Sequence, residues 1–453
     1  MLNRTYLSLI CISILFPLFA YSQDTNQEND DNAEHLSLQQ CLQYAMKNQP
    51  ALKQSLIDET IARTNNAIGL SGWLPQVGLD GSLTHYFTLP TSFIPNTANP
   101  TGPKEPFQTG VYNTATPELT AKQTIFNTDV LIAARAAHLI TKQAKQNTAS
   151  TKITLISDVS KAFYDLLLST EQIKVFKQDT ARLNKNLSDT YHQYISGIVD
   201  KVDYKQATIA LNNSLAQLKS AMESVAAKYA ALKQYMGYPA DKKFVVDFDT
   251  TQMMQEIYFD TTEDLVYEKR IEFQQLQTSK YLQRETTAYY QLGFIPSLSA
   301  FYTYNDEYQN DKLSDLFGKA YPYSFAGLQF SVPLFQGFRR LENIKKSRLQ
   351  EKRQDWDEVN LKLQINAEYK LALSNYKSNL YNLHEMEYNV SLATEVYNIV
   401  KLQYKQGIKP YLDVITAEAD LKTSEINYLN ALFNLLSSKI DLEQAMGDIS
   451  PNL

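Results

Sequence analysis

Two long stretches of this sequence contain neither glycine nor proline, and they constrain the fold more than any other feature. The stretches span residues 118–196 and 338–406, and they end at Gly197 and Gly407. Because glycine and proline disfavour a helix interior most, the greater part of the first stretch is predicted to form one helix of roughly 100 Å. A helix that long cannot pack on a small sheet. We therefore expect it to project and to pair with a helix returning along residues 203–236.

The sequence is also duplicated. The segment YISGIVDKVDYKQA at residues 194–207 recurs as YKQGIKPYLDVITA at residues 404–417. The identical pairs are Tyr194 and Tyr404, Gly197 and Gly407, Ile198 and Ile408, Asp203 and Asp413, and Ala207 and Ala417. Both halves close on Met-Gly, at residues 236–237 and 446–447. Each half is therefore predicted to carry the same helical hairpin, with tips near residues 194–203 and 404–413.

Alternation of apolar and polar residues with a period of two precedes each predicted hairpin and indicates strands. In the first half the predicted strands are residues 76–89 and 111–125, and in the second half they are residues 297–305 and 323–334. One face of the first strand is apolar, with Val77, Leu79, Leu83, Phe87 and Leu89. Residues 90–110, rich in proline, threonine and asparagine, are predicted to be a loop.

The length of these strands bears on where they can lie. About ten residues suffice for a tilted strand to cross a bilayer. Four strands do not close a barrel, because the smallest membrane barrels have about eight. Open edges in lipid would leave backbone groups unpaired, at several kcal/mol each. If the strands lie in a membrane, two or three chains must therefore assemble, with the polar face lining a lumen.

The N-terminus indicates an exported protein. Residues 1–22 have the pattern of a signal peptide, with Arg4 ahead of an apolar run, and residues 23–35 are a polar, acidic leader that we expect to be disordered. Beyond the signal, Cys41 is the only cysteine, so no intramolecular disulfide is expected. No apolar run there is long enough for a transmembrane helix. The net charge of −6 gives no support for nucleic-acid binding.

The rest of the chain divides into two repeats. The first repeat is predicted at residues 36–237 and the second at residues 263–447. A connection at residues 238–262 joins them, and a short tail at residues 448–453 follows. The predicted fold class is therefore α+β, with an internal duplication.

Several motifs in a fixed order carry a family resemblance. They are L-S-L-x-x-C-L-x-x-A at residues 36–45, N-Q-P-A-L at 48–52, Leu-Pro at 74–75, the doubled Y-x-x-G-x-x-x-x-x-D turn and the two Met-Gly ends. In this order and spacing the chain resembles the TolC-like outer membrane efflux protein family. The resemblance implies a homotrimer in which the strands form a 12-stranded β-barrel in outer-membrane lipid and the helices form a periplasmic α-barrel.

The resemblance also implies a function and partners. Family members are exit ducts of tripartite efflux or type I secretion systems, docked to a periplasmic adaptor and to an inner-membrane pump of the RND or ABC type. The cargo depends on the pump. The alternative left open is a periplasmic coiled-coil adaptor or scaffold, which is also rich in helical hairpins. Such an adaptor would have one hairpin between glycine-rich β-domains, so the two hairpins here argue against it.

In this family the tip turns form the periplasmic entrance of the channel. Asp203 and Asp413 match its tip aspartates, Lys409 stands where a basic residue is common, and Thr416 stands where some members have a second aspartate. Candidate adaptor contacts at the turns are Tyr194, Gly197, Ile198, Tyr404, Gly407 and Ile408. The alternative reading of the two aspartates is a helix N-cap, in which a side chain binds free backbone N–H groups. The sequence leaves both readings open.

Other features favour no further chemistry. The histidines are scattered, so no metal site is expected, and no glycine-rich phosphate loop is present. No catalytic arrangement can be assembled from the serine, histidine and cysteine residues. We therefore predict neither a cofactor nor an enzyme activity. The basic segment RRLENIKKSR at residues 339–348 fits a solvated helix surface or an interfacial or subunit contact.

Overall fold

A computed structural model describes residues 34–94, 103–247, 253, 257–260 and 262–451 of the chain. The predicted signal peptide and most of the predicted leader lie outside these ranges. The helices are α1 (Leu38–Asn48), α2 (Pro50–Ser71), α3 (Thr128–Ile195), α4 (Lys201–Met236), α5 (Ile271–Leu292), α6 (Arg339–Lys405) and α7 (Tyr411–Met446). The strands are β1 (Glu34–Leu36), β2 (Gln76–His85), β3 (Thr91–Ile94), β4 (Glu105–Gln108), β5 (Asn113–Phe126), β6 (Phe244–Val246), β7 (Ser297–Asn310) and β8 (Ala320–Ser331).

The four longest strands form one antiparallel sheet in the order β2-β5-β7-β8. Its register places apolar residues of neighbouring strands on a common face: Leu79 pairs with Leu119, and Leu119 pairs with Tyr304. Other parts of the chain leave this face largely uncovered, since Leu79 is 76 % exposed and Leu328 is 70 % exposed. Within the described residues, the outer edges of β2 and β8 have no partner strand. The sheet therefore has an uncovered apolar face and two open edges.

The opposite face of the sheet is more polar. Asp80 pairs with Glu118, and Glu118 pairs with Asn305 of β7. Thr120 and Thr303 are a further pair on this face. The alternation in the sequence thus becomes two chemically different surfaces, because successive side chains of a strand point to opposite sides.

The structure corrects the expectation of a plain loop at residues 90–110. β3 and β4 form a two-stranded sheet within it, in which Phe93 pairs with Pro106. The residues Thr91–Ile94 favour extended backbone. In a two-stranded sheet the missing N–H of Pro106 can face away from the partner strand, so this proline is tolerated. Prolines and threonines in the segment therefore do not exclude strands.

A second correction concerns the predicted leader and the connection between the repeats. Glu34 and His35, the last two residues assigned to the leader, belong to β1, and β1 pairs in parallel with β6 inside residues 238–262. Leu36 and Phe244 are buried, at 4 % and 3 % exposure. Burial of Leu36 and Phe244 stabilises the pairing of β1 with β6.

The two long hairpins are the pair α3 and α4 and the pair α6 and α7. The helices are close to their predicted extents: α3 runs over residues 128–195, and α4 begins at residue 201, two residues earlier than predicted. Within the described residues, no helix is both long enough and apolar enough to span a membrane.

The main hydrophobic core lies where the two repeats meet, in the middle of the molecule. It joins α1, β1, β6, the middle of α3 and α6, and the C-terminal parts of α4 and α7. Leu166, Leu232 and Leu435 are fully buried there. Cys41 is also fully buried, and burial raises the pKa of its thiol to about 12, which leaves it unreactive at neutral pH.

Candidate functional site

The two repeated turns have the same backbone structure. The Ile198 amide donates to the Gln193 carbonyl at 2.9 Å, and the Ile408 amide donates to the Gln403 carbonyl at 2.9 Å. Gly197 and Gly407 have φ of 72° and 74°. This is the Schellman motif, in which a left-handed residue allows two amides to satisfy the last carbonyls of a helix. The repeated glycines are thus explained by the conformation that ends α3 and α6.

The structure places the two aspartates in the first turn of the returning helices and not at their caps. The N-cap of α4 is Asp200 and that of α7 is Pro410, so Asp203 and Asp413 are each the third helical residue. The N-cap reading is therefore wrong for both. A carboxylate at the third position still interacts favourably with the positive end of the helix dipole. Lys409 forms an ion pair with Asp413, with Nζ 2.8 Å from Oδ2.

A cavity of about 730 Å³ lies between the two turns. From the candidate residues, the structure brings Ile198, Asp203, Tyr404, Gly407 and Lys409 together around it. The other charged residues in the lining are Lys185, Asp189, Lys401 and Lys405. Four lysines therefore face two aspartates, and the cavity has a basic character.

The other candidate residues do not line this cavity. Thr416 donates its hydroxyl to the Leu412 carbonyl within α7 at 3.0 Å. The ring of Tyr194 stacks on that of Tyr204, with ring centroids 5.9 Å apart. Ile408 is 66 % exposed at the surface of the second turn, and Ile198 at the rim of the cavity is 73 % exposed. The turns thus present apolar side chains outward.

A small second core holds the two hairpins together beside the turns. Tyr411, Val414 and Ala417 of α7 pack in it with Ala207 of α4. The Tyr404 hydroxyl donates to Gln193 Oε1 at 2.7 Å and so links α6 to α3. Burial, together with the nearby Asp203 carboxylate, raises the pKa of Tyr404, so its phenol stays protonated and remains a donor. Sequence reasoning missed Tyr411, because the first turn has Lys201 at that position.

Sequence reasoning also missed a buried cluster of charged residues higher in the hairpins. We call Asp179, Arg182, Glu418 and Lys422 the ion cluster. Glu418 is 1 % exposed and accepts hydrogen bonds from Arg182 Nε at 3.1 Å and from Asn186 Nδ2 at 2.9 Å. Burial raises the pKa of the Glu418 carboxyl, and the Arg182 guanidinium opposes that shift. These bonds connect α3 of the first hairpin to α7 of the second.

The rest of the ion cluster is built around Asp179, which is 1 % exposed. The Ser214 hydroxyl of α4 donates to Asp179 Oδ2 at 2.7 Å. Arg182 and Lys422 lie 3.6 Å and 3.5 Å from its carboxylate oxygens. Three helices thus meet at this cluster. A carboxylate buried this deeply is retained only where charges and donors compensate its desolvation.

Among the described residues, no group of three or more His, Cys, Asp or Glu side chains is placed to hold a metal ion. The arrangement instead offers a sheet with an uncovered apolar face, helices that project far from it, and a tight double turn at the far end.

Comparison with known proteins identifies the class. The family model described as outer membrane efflux protein matches residues 41–238 and 270–448. Outer membrane protein TolC of Vibrio cholerae is 22 % identical over 320 residues, covering 68 % of this chain and 71 % of that protein. Outer membrane protein TolC of Escherichia coli K12 is 22 % identical over 466 residues, covering 98 % of this chain and 87 % of that protein.

The fold is similar as well. The Campylobacter jejuni CmeC outer membrane channel aligns with a TM-score of 0.71 at 16 % identity, over 97 % of this chain and 95 % of that chain. The chain belongs to the outer membrane efflux protein family. It is an outer-membrane protein, and its helical hairpins form a periplasmic extension. The periplasmic adaptor that the sequence left open is thereby set aside.

Proposed function

We propose that this chain is the passive exit duct of a tripartite exporter and that it works as a homotrimer. The four-stranded sheet carries the proposal, because it combines an uncovered apolar face with open edges at β2 and β8. Three chains supply twelve strands, enough to close a barrel, and closure satisfies the backbone of both edges. The polar face with Asp80 and Glu118 then lines the lumen, and the hairpins extend the duct into the periplasm.

An uncovered stripe on α6 supports the trimer. Leu349, Trp356 and Leu363 recur every seven residues and are 56 %, 73 % and 65 % exposed. Tyr381 and Tyr388 continue the stripe at 69 % and 61 % exposure. A spacing of seven keeps side chains on one face of a helix. We assign this face to contact with the neighbouring subunit.

The trimer is tested with Trp356→Asp and its matched control Asn366→Asp. Both substitutions add one carboxylate to an exposed position of α6, but Asn366 lies outside the stripe. The wild type and the control should migrate as heat-resistant trimers when extracted from outer membranes and should give single channels in planar bilayers. Trp356→Asp should lower the dissociation temperature, because a charge would be buried at the contact. A wild type that stays monomeric and non-conducting would refute the proposal.

We propose that the two tip turns are the periplasmic entrance. Asp203, Lys409 and Tyr404 surround the cavity between the turns, and Asp413 holds Lys409 by its ion pair. We assign control of the opening to Asp203, Asp413 and Lys409. The exposed Ile198 and Ile408, together with the neighbouring Tyr194, Gly197, Tyr404 and Gly407, form the proposed contact with a periplasmic adaptor. An inner-membrane pump of the RND or ABC type supplies the driving force.

A further inference from the structure

The link between β8 and α6 has an unusual conformation. Phe338, which directly precedes α6, has φ of 61° and is the only non-glycine residue with positive φ in the described ranges. A bulky side chain in this region of backbone space is an outlier, and such strain persists only where something compensates for it. Packing within the chain does not compensate for it here, because Phe338 is 66 % exposed.

The first repeat shows that the fold does not require this arrangement. There, β5 ends at Phe126 and α3 begins at Thr128, with Asn127 capping the helix through a 2.8 Å bond to the Val130 amide. In the second repeat, Phe335 occupies the place of Phe126, and Gly337 and Phe338 are additional before α6 begins. The second repeat has thus gained an exposed phenylalanine and given up the side-chain cap.

The exposed rings are grouped. The centroids of Phe335 and Phe338 are 5.5 Å apart with the rings perpendicular, and Phe335 is 74 % exposed. Leu334 beside them is 90 % exposed. They continue the uncovered apolar face of β8 beyond the end of the strand. In an outer-membrane protein with periplasmic helices, this end of the sheet lies at the periplasmic boundary of the bilayer.

Basic residues directly follow these phenylalanines in the sequence. Residues 339–348 contain Arg339, Arg340, Lys345, Lys346 and Arg348, with Glu342 as the one acidic residue. Arg339 and Arg340 line a cavity of about 480 Å³ between the ends of α5 and β8 and the starts of α3, β7 and α6. Tyr289 and Asp129 also line it. The Arg340 guanidinium lies 4.6 Å from the ring centroid of Phe294.

We infer that this junction is a binding site for an anionic glycerophospholipid of the periplasmic leaflet. Arg339 and Arg340 take the phosphate, because guanidinium groups bind phosphate oxygens in paired hydrogen bonds. Phe335 and Phe338 insert beside the acyl chains. Aromatic rings at the level of the head groups, next to basic residues, are the arrangement that anchors proteins at a membrane interface. The inference rests on the outer-membrane location and not on conduction through the duct.

Native mass spectrometry tests the inference. The mature protein is mixed with phosphatidylglycerol in detergent, and the lipid that remains bound after the detergent is removed in the spectrometer is measured. The wild type should retain phosphatidylglycerol in preference to phosphatidylethanolamine. Arg339→Gln with Arg340→Gln should reduce the affinity for phosphatidylglycerol roughly 25-fold, since each basic group near an anionic surface contributes about fivefold. The matched control, Lys177→Gln with Lys219→Gln, removes two exposed charges from the first hairpin, far from the junction and away from the stripe on α6, and should change nothing.

Phe338→Gly separates binding from folding. Glycine adopts positive φ without strain, so the variant should resist heat at least as well as the wild type while it retains less phosphatidylglycerol. Equal retention of lipid by the wild type and the double arginine variant would overturn the inference. Displacement of the lipid by millimolar inorganic phosphate would overturn it too, because it would reveal a site for a free anion. Unchanged retention of phosphatidylglycerol by Phe338→Gly would show that the Phe338 ring does not contribute to lipid binding.

Discussion

The aspartates of the tips interact with their surroundings in different ways. Asp413 is joined to Lys409 by a 2.8 Å ion pair within α7 and its turn, whereas Asp203 faces the cavity near Tyr404. Both carboxylates sit where the amino end of a helix favours negative charge. Their contribution to helix stability is therefore small and similar, so a difference in channel behaviour between variants of the two would report on the proposed entrance.

Asp413→Ala should raise single-channel conductance in planar bilayers. The substitution releases Lys409 and removes one carboxylate per chain from the proposed entrance. Asp420→Ala is the matched control, because it removes an exposed carboxylate about two turns further along α7. Unchanged conductance together with a lower dissociation temperature would mean that Asp413 serves only the helix.

Arg182 should matter more for stability than any surface charge. Removing it in Arg182→Ala leaves Glu418 and Asp179 buried with fewer compensating groups, at a cost of about 3–5 kcal/mol in the free energy of unfolding. Lys219→Ala is the control, since its pair with Glu223 is mostly exposed and should contribute nothing measurable. Chemical denaturation of the two variants checks this. Equal midpoints for both would show that the ion cluster does not hold the hairpins together.

The residues of the ion cluster could not be found from the sequence. Arg182 and Glu418 are 236 positions apart, and a charged residue in a long helix normally indicates a solvated face. Only the packing of α3 against α7 makes these positions interior. The tip aspartates are the opposite case, since the repeated turn located them correctly and only their position within the helix was misjudged.

Four glycines end the helices of the hairpins, and they fall into two classes. Gly197 and Gly407 have positive φ, but an added Cβ would meet nothing within 4 Å. Gly237 and Gly447 also have positive φ, and a Cβ there would lie 2.9 Å from the Asn48 carbonyl oxygen and 2.8 Å from the Lys269 carbonyl carbon. The first class needs glycine for conformation alone, and the second also needs it for space.

Alanine substitutions should therefore form a graded series. Gly197→Ala should lower the free energy of unfolding by about 1–2 kcal/mol, the cost of a left-handed backbone. Gly237→Ala should cost clearly more, because backbone of the α1–α2 junction cannot yield as a flexible side chain would. Gly318→Ala is the control, with open space and no positive φ. Thermal unfolding orders the three variants, and equal losses at Gly197 and Gly237 would contradict the steric argument.

The elements themselves follow closely from the sequence. The absence of glycine and proline from residues 118–196 set the length of α3, and the alternation at residues 76–89 gave the apolar face of β2. The ends of the strands were predicted less accurately from the sequence. β7 runs to Asn310, five residues past its predicted end, and β8 starts at Ala320, three residues before its predicted start. These residues include Asp306 and Pro322, which break the alternation, and pairing with the neighbouring strand keeps them extended.

At the scale of the assembly, the proposed docking to an adaptor should be separable from formation of the trimer. Ile198→Asp combined with Ile408→Asp changes two exposed side chains that contribute little to either core. The variant should form heat-resistant trimers with normal conductance, yet cells that carry it should fail to export. Leu313→Asp, at an exposed leucine between β7 and β8, is the matched control and should export normally. Normal export by the double variant would exclude these isoleucines from the contact.

The two turns are alike in backbone but not in charge. Lys409 stands where the first turn has Val199, and Asp200 stands where the second turn has Pro410. Around the mouth of the proposed trimer, six turns of the same shape would thus alternate between an acidic and a basic kind. A partner that recognises only shape has six equivalent ways to sit on that ring. A partner that also recognises charge has only three equivalent orientations. The duplicated turn would therefore restrict how a partner can dock at the mouth of the proposed trimer.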